Sequence, residues 1–566
     1  MIMGSNWMND WSSRKESFSE ECRLENVRFR YCLARPHDTQ REVLRDLVSL
    51  SARSLMWQER GYVGEGLDVS TFRKRVPIWR YADFSPYINR ELDAKGGVLA
   101  CSPVLRWLKT SGTTGSSKKI PYSLHWMSRY RVPAMKAMWA TYFQYSPTML
   151  DDPHAVLDMQ TVRENPSEFI KGLPYQGISN RHPRLDDADW NPPWMEAPWF
   201  TPDMPGIHGE KMYHRVRHLV GKPLRFVSAI NPSTLVSMHD AMYAHRERLV
   251  EDIRHGTLNG VVRFKPDQIL ANRIDGIFAG GTFSFVDIWP GLEMFSCWAS
   301  ASARLYRKIL DQILPGVRQV PFMSCGTEGV ITIPIDDSVT SQPLAINQAF
   351  YEFVPTNVDL DAALDARERV ATLLFDQLET GKDYQLIMSQ ANGLCRLATG
   401  DIFRVESFEG SVPRLNFIRR AGIFHSFTGE KLTEYHVTEA ISKMSRKRQL
   451  DTGLYMCGPQ WNTIPCYVLM LETPPDFATS DEELADQIDV FLQEINLEYA
   501  SKRESNRIGR LSVISVRNNA ITRYIDHKRS DANAAQYKYK PFCQDTNFVD
   551  EVLQLQQPQS NSGSRT

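Results

Sequence analysis

Thr110-Ser111-Gly112-Thr113-Thr114-Gly115-Ser116-Ser117-Lys118-Lys119-Ile120-Pro121 packs hydroxyls, two glycines and two lysines into twelve residues and closes on a proline. Glycine lets the backbone take positive φ and come close to a ligand. Successive backbone N–H groups in such a turn form an anion-binding concavity. Hydroxyls and ammonium groups add donors for phosphate oxygens. The stretch therefore reads as a triphosphate grip, with a flexible Ser/Gly/Thr connection as the alternative. It is not a Walker A loop, which needs Gly-x-x-x-x-Gly-Lys-Ser/Thr opening a helix. Here Lys119 follows Lys118, and Pro121 comes two residues later.

The chain around this loop has 566 residues, enough for more than one domain. Hydrophobic residues make up 42% and aromatic residues 11%, ample for large cores, and the net charge is -1. Without a basic excess, neither nucleic acid nor an anionic membrane is an expected partner. No apolar run approaches the roughly 20 residues that span a bilayer. The first residues lack the apolar stretch of a secretory signal. Nine scattered cysteines with no Cys-x-x-Cys read as reduced thiols, not as a disulfide frame or zinc site. A cytoplasmic protein, a monomer or weak dimer, is expected.

Helical periodicity is expected over residues 38–60, 232–255, 301–314 and 482–505. Short apolar runs at 317–323, 329–335, 346–354, 384–389, 401–405, 466–472 and 510–516 read as strands. Residues 150–215, rich in Pro, Trp and Asp, read as a long irregular insertion. The tail from about residue 557 reads as disordered. After about residue 425 the pattern changes to that of a small α+β domain.

Further constellations follow the loop in order. Ser324-Cys325-Gly326-Thr327-Glu328-Gly329 places a Gly-flanked acid between two apolar runs, either a ligand-facing carboxylate or an ordinary turn glutamate. Phe350-Tyr351-Glu352-Phe353-Val354-Pro355 alternates as a strand, so Tyr351 is either a face for a nucleobase or core. Thr399-Gly400-Asp401 places a carboxylate where it can accept from two ribose hydroxyls, or it is a turn aspartate. Arg419-Arg420 and Thr428-Gly429-Glu430-Lys431 offer charges near the change of character. Lys538 and Lys540 lie close to the C-terminus.

Taken together and in this order, these segments resemble the GH3 family of acyl acid amido synthetases, which are adenylate-forming enzymes. TSGTTGSSKKIP looks like the first nucleotide motif, SCGTEG the second and LATGDIFRV the third. FYEFVP, DIWPGLEMFSCW, TGEKLTE, CYVLMLE, QEINLEYASKR and QYK resemble family segments as well. The resemblance runs from about residue 40 to 545. It departs from the pattern at Met323-Ser324, at Leu397-Ala398-Thr399 and after Lys538, where Tyr539-Lys540-Pro541-Phe542 makes Lys540 a competitor for the final motif.

The resemblance implies an α/β fold. A large N-terminal adenylation domain of β-sheets, flanking helices and a barrel-like subdomain would span residues 1–425. A small mobile α+β lid would span 426–566. It implies ATP with Mg2+, a small carboxylic acid, and an amine or amino acid. It implies that Thr110, Ser111, Gly112, Thr113, Thr114, Gly115 and Lys118 bind the nucleotide, with Ser111, Thr113, Thr114 and Lys118 holding the β- and γ-phosphates. Glu328 would hold magnesium, while Gly326 and Thr327 would contact the AMP phosphate. Tyr351 would flank adenine and Asp401 would bind ribose. Arg420 and Lys431 would contact nucleotide across a hinge, and Lys538 would approach the α-phosphate. An acyl-CoA or carrier-protein ligase is the alternative within the same chemistry. A nucleotide-binding protein without catalysis is the alternative outside it.

Overall fold

The computed structural model describes residue 8 and residues 10–556, except 63–66, 111–117, 161, 164–167, 179, 182–189, 201–207, 301–302, 304–305, 421–423, 451–453, 474–478, 518–519, 522, 525–541 and 544–545. The chain divides into two compact units. The larger comprises Met1–Thr110 and Lys118–Ala421, and the smaller includes Gly422–Thr566.

Among the described residues, three sheets of four or five strands frame the larger unit. Val104–Thr110 (β1) and Lys118–Ser123 (β2) pair antiparallel, with Thr110 opposite Lys118 and Lys109 opposite Lys119. The other edge of β1 pairs in parallel with Leu173–Gln176, so part of the stretch expected to be irregular is a strand of this sheet. The second sheet is all parallel: Val156–Asp158 (β3), Phe226–Ser228 (β4), Met294–Ser296 (β5) and Arg318–Val320 (β6), in spatial order 6-5-4-3. The third has five strands: Gln342–Pro343 (β7), Phe350–Pro355 (β8), Asp383–Ser389 (β9), Leu397–Glu409 (β10) and Val412–Arg420 (β11), in order 7-11-10-9-8, every neighbouring pair antiparallel.

Helices cover these sheets by their apolar faces. Trp11–Leu33 (α1) buries Phe18, Cys22 and Phe29. Pro36–Ala52 (α2) starts with proline in its first turn and buries Val43, Leu44, Leu47 and Val48, a spacing that keeps one face inward. Val132–Tyr145 (α3) is apolar nearly all round, and Met138, Trp139 and Tyr142 are fully buried. The helix expected over 232–255 is two helices, Pro232–Ala244 and Arg246–His255, with His245 between them. No described helix is long and apolar enough to cross a membrane.

The smaller unit is α+β. Tyr455–Gln460 (β12), Cys466–Glu472 (β13) and Ser512–Val516 (β14) form one sheet in that order. Along β13, Tyr467, Leu469 and Leu471 enter one core and Val468 and Met470 the other. Burial on both faces is why this strand reads as a continuous apolar run. Glu434–Arg448 (α4), Asp481–Ile495 (α5) and Leu497–Glu504 (α6) supply helices. The single helix expected over 482–505 breaks at Asn496, whose side chain accepts from Tyr499 N–H and so starts a new helix.

Candidate active site

The second motif is a tight hairpin. Cys325 bridges Val330, the Gly326 N–H donates to the Gly329 carbonyl at 2.9 Å, and the Ser324 carbonyl accepts from Ile331 and Thr332. Its tip presents Thr327 and Glu328, and the Thr327 hydroxyl donates to Glu328 Oε2 at 3.0 Å. Both flanking glycines are closely approached by side-chain ends. A Cβ at Gly326 would lie 2.8 Å from Glu328 Oε2, and one at Gly329 would lie 2.8 Å from Met388 Cε and 2.9 Å from Gln390 Nε2. A Cβ at either position would require those side-chain ends to move.

Lys118 meets this hairpin from β2. Its Nζ lies 3.4 Å from Glu328 Oε1, and both side chains are largely buried, at 14% and 8% exposure. Tyr81 fixes the start of β2: its hydroxyl accepts from Lys119 N–H at 2.6 Å and donates to the Lys119 carbonyl at 3.1 Å. Burial pushes the Tyr81 phenol up to about 12, so it stays a neutral donor. The Lys118 ammonium also lies 5.2 Å from the Tyr81 ring centre, within cation–π range. The first and second motifs thus converge on one polar spot, although 210 positions separate Lys118 from Glu328. Thr110 closes β1 opposite Lys118. Ser111, Gly112, Thr113, Thr114 and Gly115 lie outside the described residues.

Tyr351 corrects the expectation placed on it. It is fully buried, and its hydroxyl donates to the Val330 carbonyl at 2.6 Å. A ring enclosed on all sides offers no face to adenine; the residue instead ties β8 to the base of the Glu328 hairpin. Its strand neighbour is Met388, the residue that touches Gly329, and Met388 in turn pairs with Leu397 at the start of β10.

Asp401 lies on β10, half-buried, opposite Arg420 of β11 in the ladder. Gly400 before it has φ 77°, a turn of backbone that favours glycine. The Asp401 N–H donates to Thr399 Oγ1 at 3.1 Å, and the Thr399 hydroxyl donates to the Leu386 carbonyl. Asp401 is therefore seated at a bulge whose backbone is pinned.

In the smaller unit, Lys431 also has positive φ, 46°. The preceding Glu430 is fully buried, and its carboxylate accepts from the Phe427 and Thr428 N–H groups at 2.7 and 2.8 Å and from the Tyr467 hydroxyl at 2.5 Å. The loop that carries Lys431 is thus wound around a buried, fully hydrogen-bonded glutamate side chain. Lys538 and Lys540 lie outside the described residues.

Three features escaped sequence reasoning. Gln390 is 1% exposed; its Oε1 accepts from Ala391 N–H, while its Nε2, beside Gly329, meets no partner among the described residues. Glu352, in the aromatic strand, forms a buried two-bond pair with Arg396, at 2.8 Å for each bond. Asp158, Gln160 and Ser228 form a buried polar group at the end of the parallel sheet. A charge inside an apolar strand was the visible signal for Glu352. Gln390 and Gln160 each follow a short apolar strand and carry no signal beyond that position.

Three family models match successive parts of the chain: the GH3 family N-terminal domain over residues 27–319, the central domain over 342–420 and the C-terminal domain over 435–547. The chain belongs to the GH3 family. Among its relatives, the indole-3-acetic acid-amido synthetase GH3.4 of Arabidopsis thaliana is 23% identical over 90% of this chain and 89% of that protein. The probable indole-3-acetic acid-amido synthetase GH3.12 of Oryza sativa subsp. japonica is 24% identical over 89% of this chain and 91% of that protein. The solved GH3.15 acyl acid amido synthetase shares the fold, with a TM-score of 0.59 at 18% identity over 92% of both chains. The mixed α/β architecture, with a large N-terminal and a small C-terminal part, is that of this family.

Proposed function

We propose that this GH3 chain is an ATP-dependent acyl acid amido synthetase. It adenylates a small carboxylic acid, releasing pyrophosphate, and transfers the acyl group to the amine of an amino acid or other amine, releasing AMP. The observation that carries this reading inside the family is the buried Lys118–Glu328 pair beside Thr327. A cation, a carboxylate and a hydroxyl on a glycine-flanked turn are the groups a polyphosphate with its metal requires.

In the first half-reaction the acid's carboxylate attacks the α-phosphate. Positioning and charge neutralisation carry most of such catalysis. Lys118, with Ser111, Thr113 and Thr114 of the adjoining loop, holds the β- and γ-phosphates. Thr327 donates to the AMP phosphate, and Gln390 Nε2, buried without a partner among the described residues, is placed beside the same hairpin as a further donor. Asp401 accepts from the ribose hydroxyls. Lys431 and Lys538 are proposed as phosphate-neutralising cations on the strength of the motifs they match. The residues fit a magnesium ion that arrives with ATP. Glu328 offers one carboxylate, and such ions take one or two carboxylates together with phosphate oxygens and water. Among the described residues no group of three or more His, Cys, Asp or Glu forms an all-protein metal site. Bound there, the ion supplies neutralisation of phosphate charge. In the second half-reaction the amine attacks the acyl carbon and AMP leaves.

The test is product analysis with CoA withheld. Purified protein given ATP, magnesium, an acid and amino acids is expected to form amide and AMP. Acyl-CoA formed when CoA is supplied, with no amide in its absence, would replace this reading by that of a CoA ligase. Asp401→Asn is expected to raise the KM for ATP by about tenfold or more, since each lost bond to a charged group is worth about 1.5–3 kcal/mol.

A further inference from the structure

The four-stranded parallel sheet ends in a row of polar residues that the reaction described above does not use. Asp158, Ser228 and Ser296 are the last residues of β3, β4 and β5, and they stand in register with one another. Register partners on neighbouring strands share a face of the sheet. All three are essentially unexposed, at 1%, 0% and 0%. Ligands of open parallel sheets bind beyond the carboxyl ends of the strands, which is where this row lies.

Part of the row is satisfied by the protein. Trp194 Nε1 donates to Asp158 Oδ2 at 3.3 Å, and the Gln160 N–H donates to Asp158 Oδ1 at 2.9 Å. The Tyr142 hydroxyl lies 3.2 Å from Ser296 Oγ and donates to the Pro321 carbonyl at 2.8 Å. The remainder is not. Gln160, two residues beyond β3, is 4% exposed, and neither Oε1 nor Nε2 finds a hydrogen-bond partner among the described residues. Ser228 Oγ also has none. An unpaired amide and hydroxyl at such depth are costly for a fold to keep.

The unpaired atoms state what would complete them. Gln160 offers one donor and one acceptor side by side, and Ser228 offers either. A hydroxyl or carboxamide on a ligand matches that set; a bare aromatic or alkyl end leaves all three atoms unpaired. The row is also within reach of the nucleotide hairpin. Pro321, held by Tyr142, precedes Thr327 by six residues, at most about 20 Å of extended chain.

We propose that the acid used by this enzyme carries a hydroxyl or carboxamide distant from the carboxylate that is adenylated, and that Gln160 and Ser228 at the end of the parallel sheet bind it. The proposal rests on the amido synthetase reading and names the substrate class of that site. A site built to hydrogen-bond a substrate group discriminates strongly against an analogue that lacks it.

The experiment compares matched acids in acid-dependent ATP–pyrophosphate exchange: phenylacetic against 4-hydroxyphenylacetic acid, and hexanoic against 6-hydroxyhexanoic acid. Wild-type protein is expected to favour the hydroxylated member of at least one pair by about tenfold or more in kcat/KM. Gln160→Leu is expected to abolish that preference while its Tm is unchanged or higher, because the Gln160 side chain makes no hydrogen bond to a described residue. Exchange with both members of each pair at similar kcat/KM, or a Gln160→Leu protein that keeps the preference, overturns the subsite. A fall in Tm of several degrees in Gln160→Leu also overturns it, by making Gln160 a structural residue. No exchange with any of the four acids or with a broad acid panel overturns the ligase reading itself, and the subsite with it.

Discussion

Glu328 has an ammonium on one oxygen and a hydroxyl on the other, and that asymmetry defines it at the residue scale. Replacing it with glutamine keeps the shape and removes the charge that balances Lys118. The expected result is a folded protein whose kcat falls by about 100-fold or more, the order seen when one stabilising group is lost from a developing charge. Tyr351 makes the opposite prediction. Because its hydroxyl serves the Val330 carbonyl in the core, Tyr351→Phe is expected to cost about 1 kcal/mol in chemical denaturation. Its KM for ATP is expected to stay within a fewfold of wild type. A large rise in that KM at unchanged stability would return Tyr351 to the nucleotide. The two residues also show what single positions reveal. Glu328 drew attention as an acid between glycines at a strand boundary, a pattern that an ordinary turn glutamate shares. Tyr351 was misread because an aromatic in an alternating strand looks the same whether it faces a ligand or a core.

At the scale of elements, the hairpin depends on what lies behind it. Gly329 packs on Met388 and Gln390, so Gly329→Ala drives a methyl into both. The expected outcome is a cooperatively folding protein, destabilised by about 1–3 kcal/mol by overpacking, with exchange activity lost beyond what that destabilisation explains. Circular dichroism melts measured with the exchange assay check it. In the smaller unit, the loop around Glu430 includes His425, whose Nδ1 lies 3.3 Å from the Tyr467 hydroxyl. Burial holds His425 down to about 4, against an ordinary value of 6.5. The unfolded chain therefore binds the proton first. Stability that is full above pH 6.5 is lost as pH falls from 6.5 towards 4. Hydrogen exchange of residues 455–472 is expected to accelerate over that window, and His425→Phe is expected to flatten the dependence. Strand positions such as 466–472 and 384–389 were readable from sequence because burial on both faces leaves an unbroken apolar run. The break at Asn496 and the strands inside 150–215 were not. A capping side chain replaces one helix by two without changing the apolar period, and two- to four-residue strands are too short to show alternation.

At the scale of the whole molecule, the chain divides into two compact units. Thr327, Glu328, Asp401 and Lys118 belong to the larger unit, while Lys431 and Lys538 belong to the smaller. Motif order along the chain was the most legible feature of all, since it survives even where individual residues depart from pattern. What the order does not contain is the acid, because the strand ends at residues 158, 228 and 296, where its distal polar group is proposed to bind, are joined by no contiguous motif.

Adenylation of the acid by ATP is assigned to the Lys118–Glu328 spot. Acid-dependent ATP–pyrophosphate exchange by the purified full chain, run beside Glu328→Gln and Lys118→Met proteins of verified fold, tests it most directly. Exchange is expected to require both the acid and magnesium and to fall by about 100-fold or more in each variant. Undiminished exchange in both variants, or none in the wild type across a broad panel of acids, would contradict it.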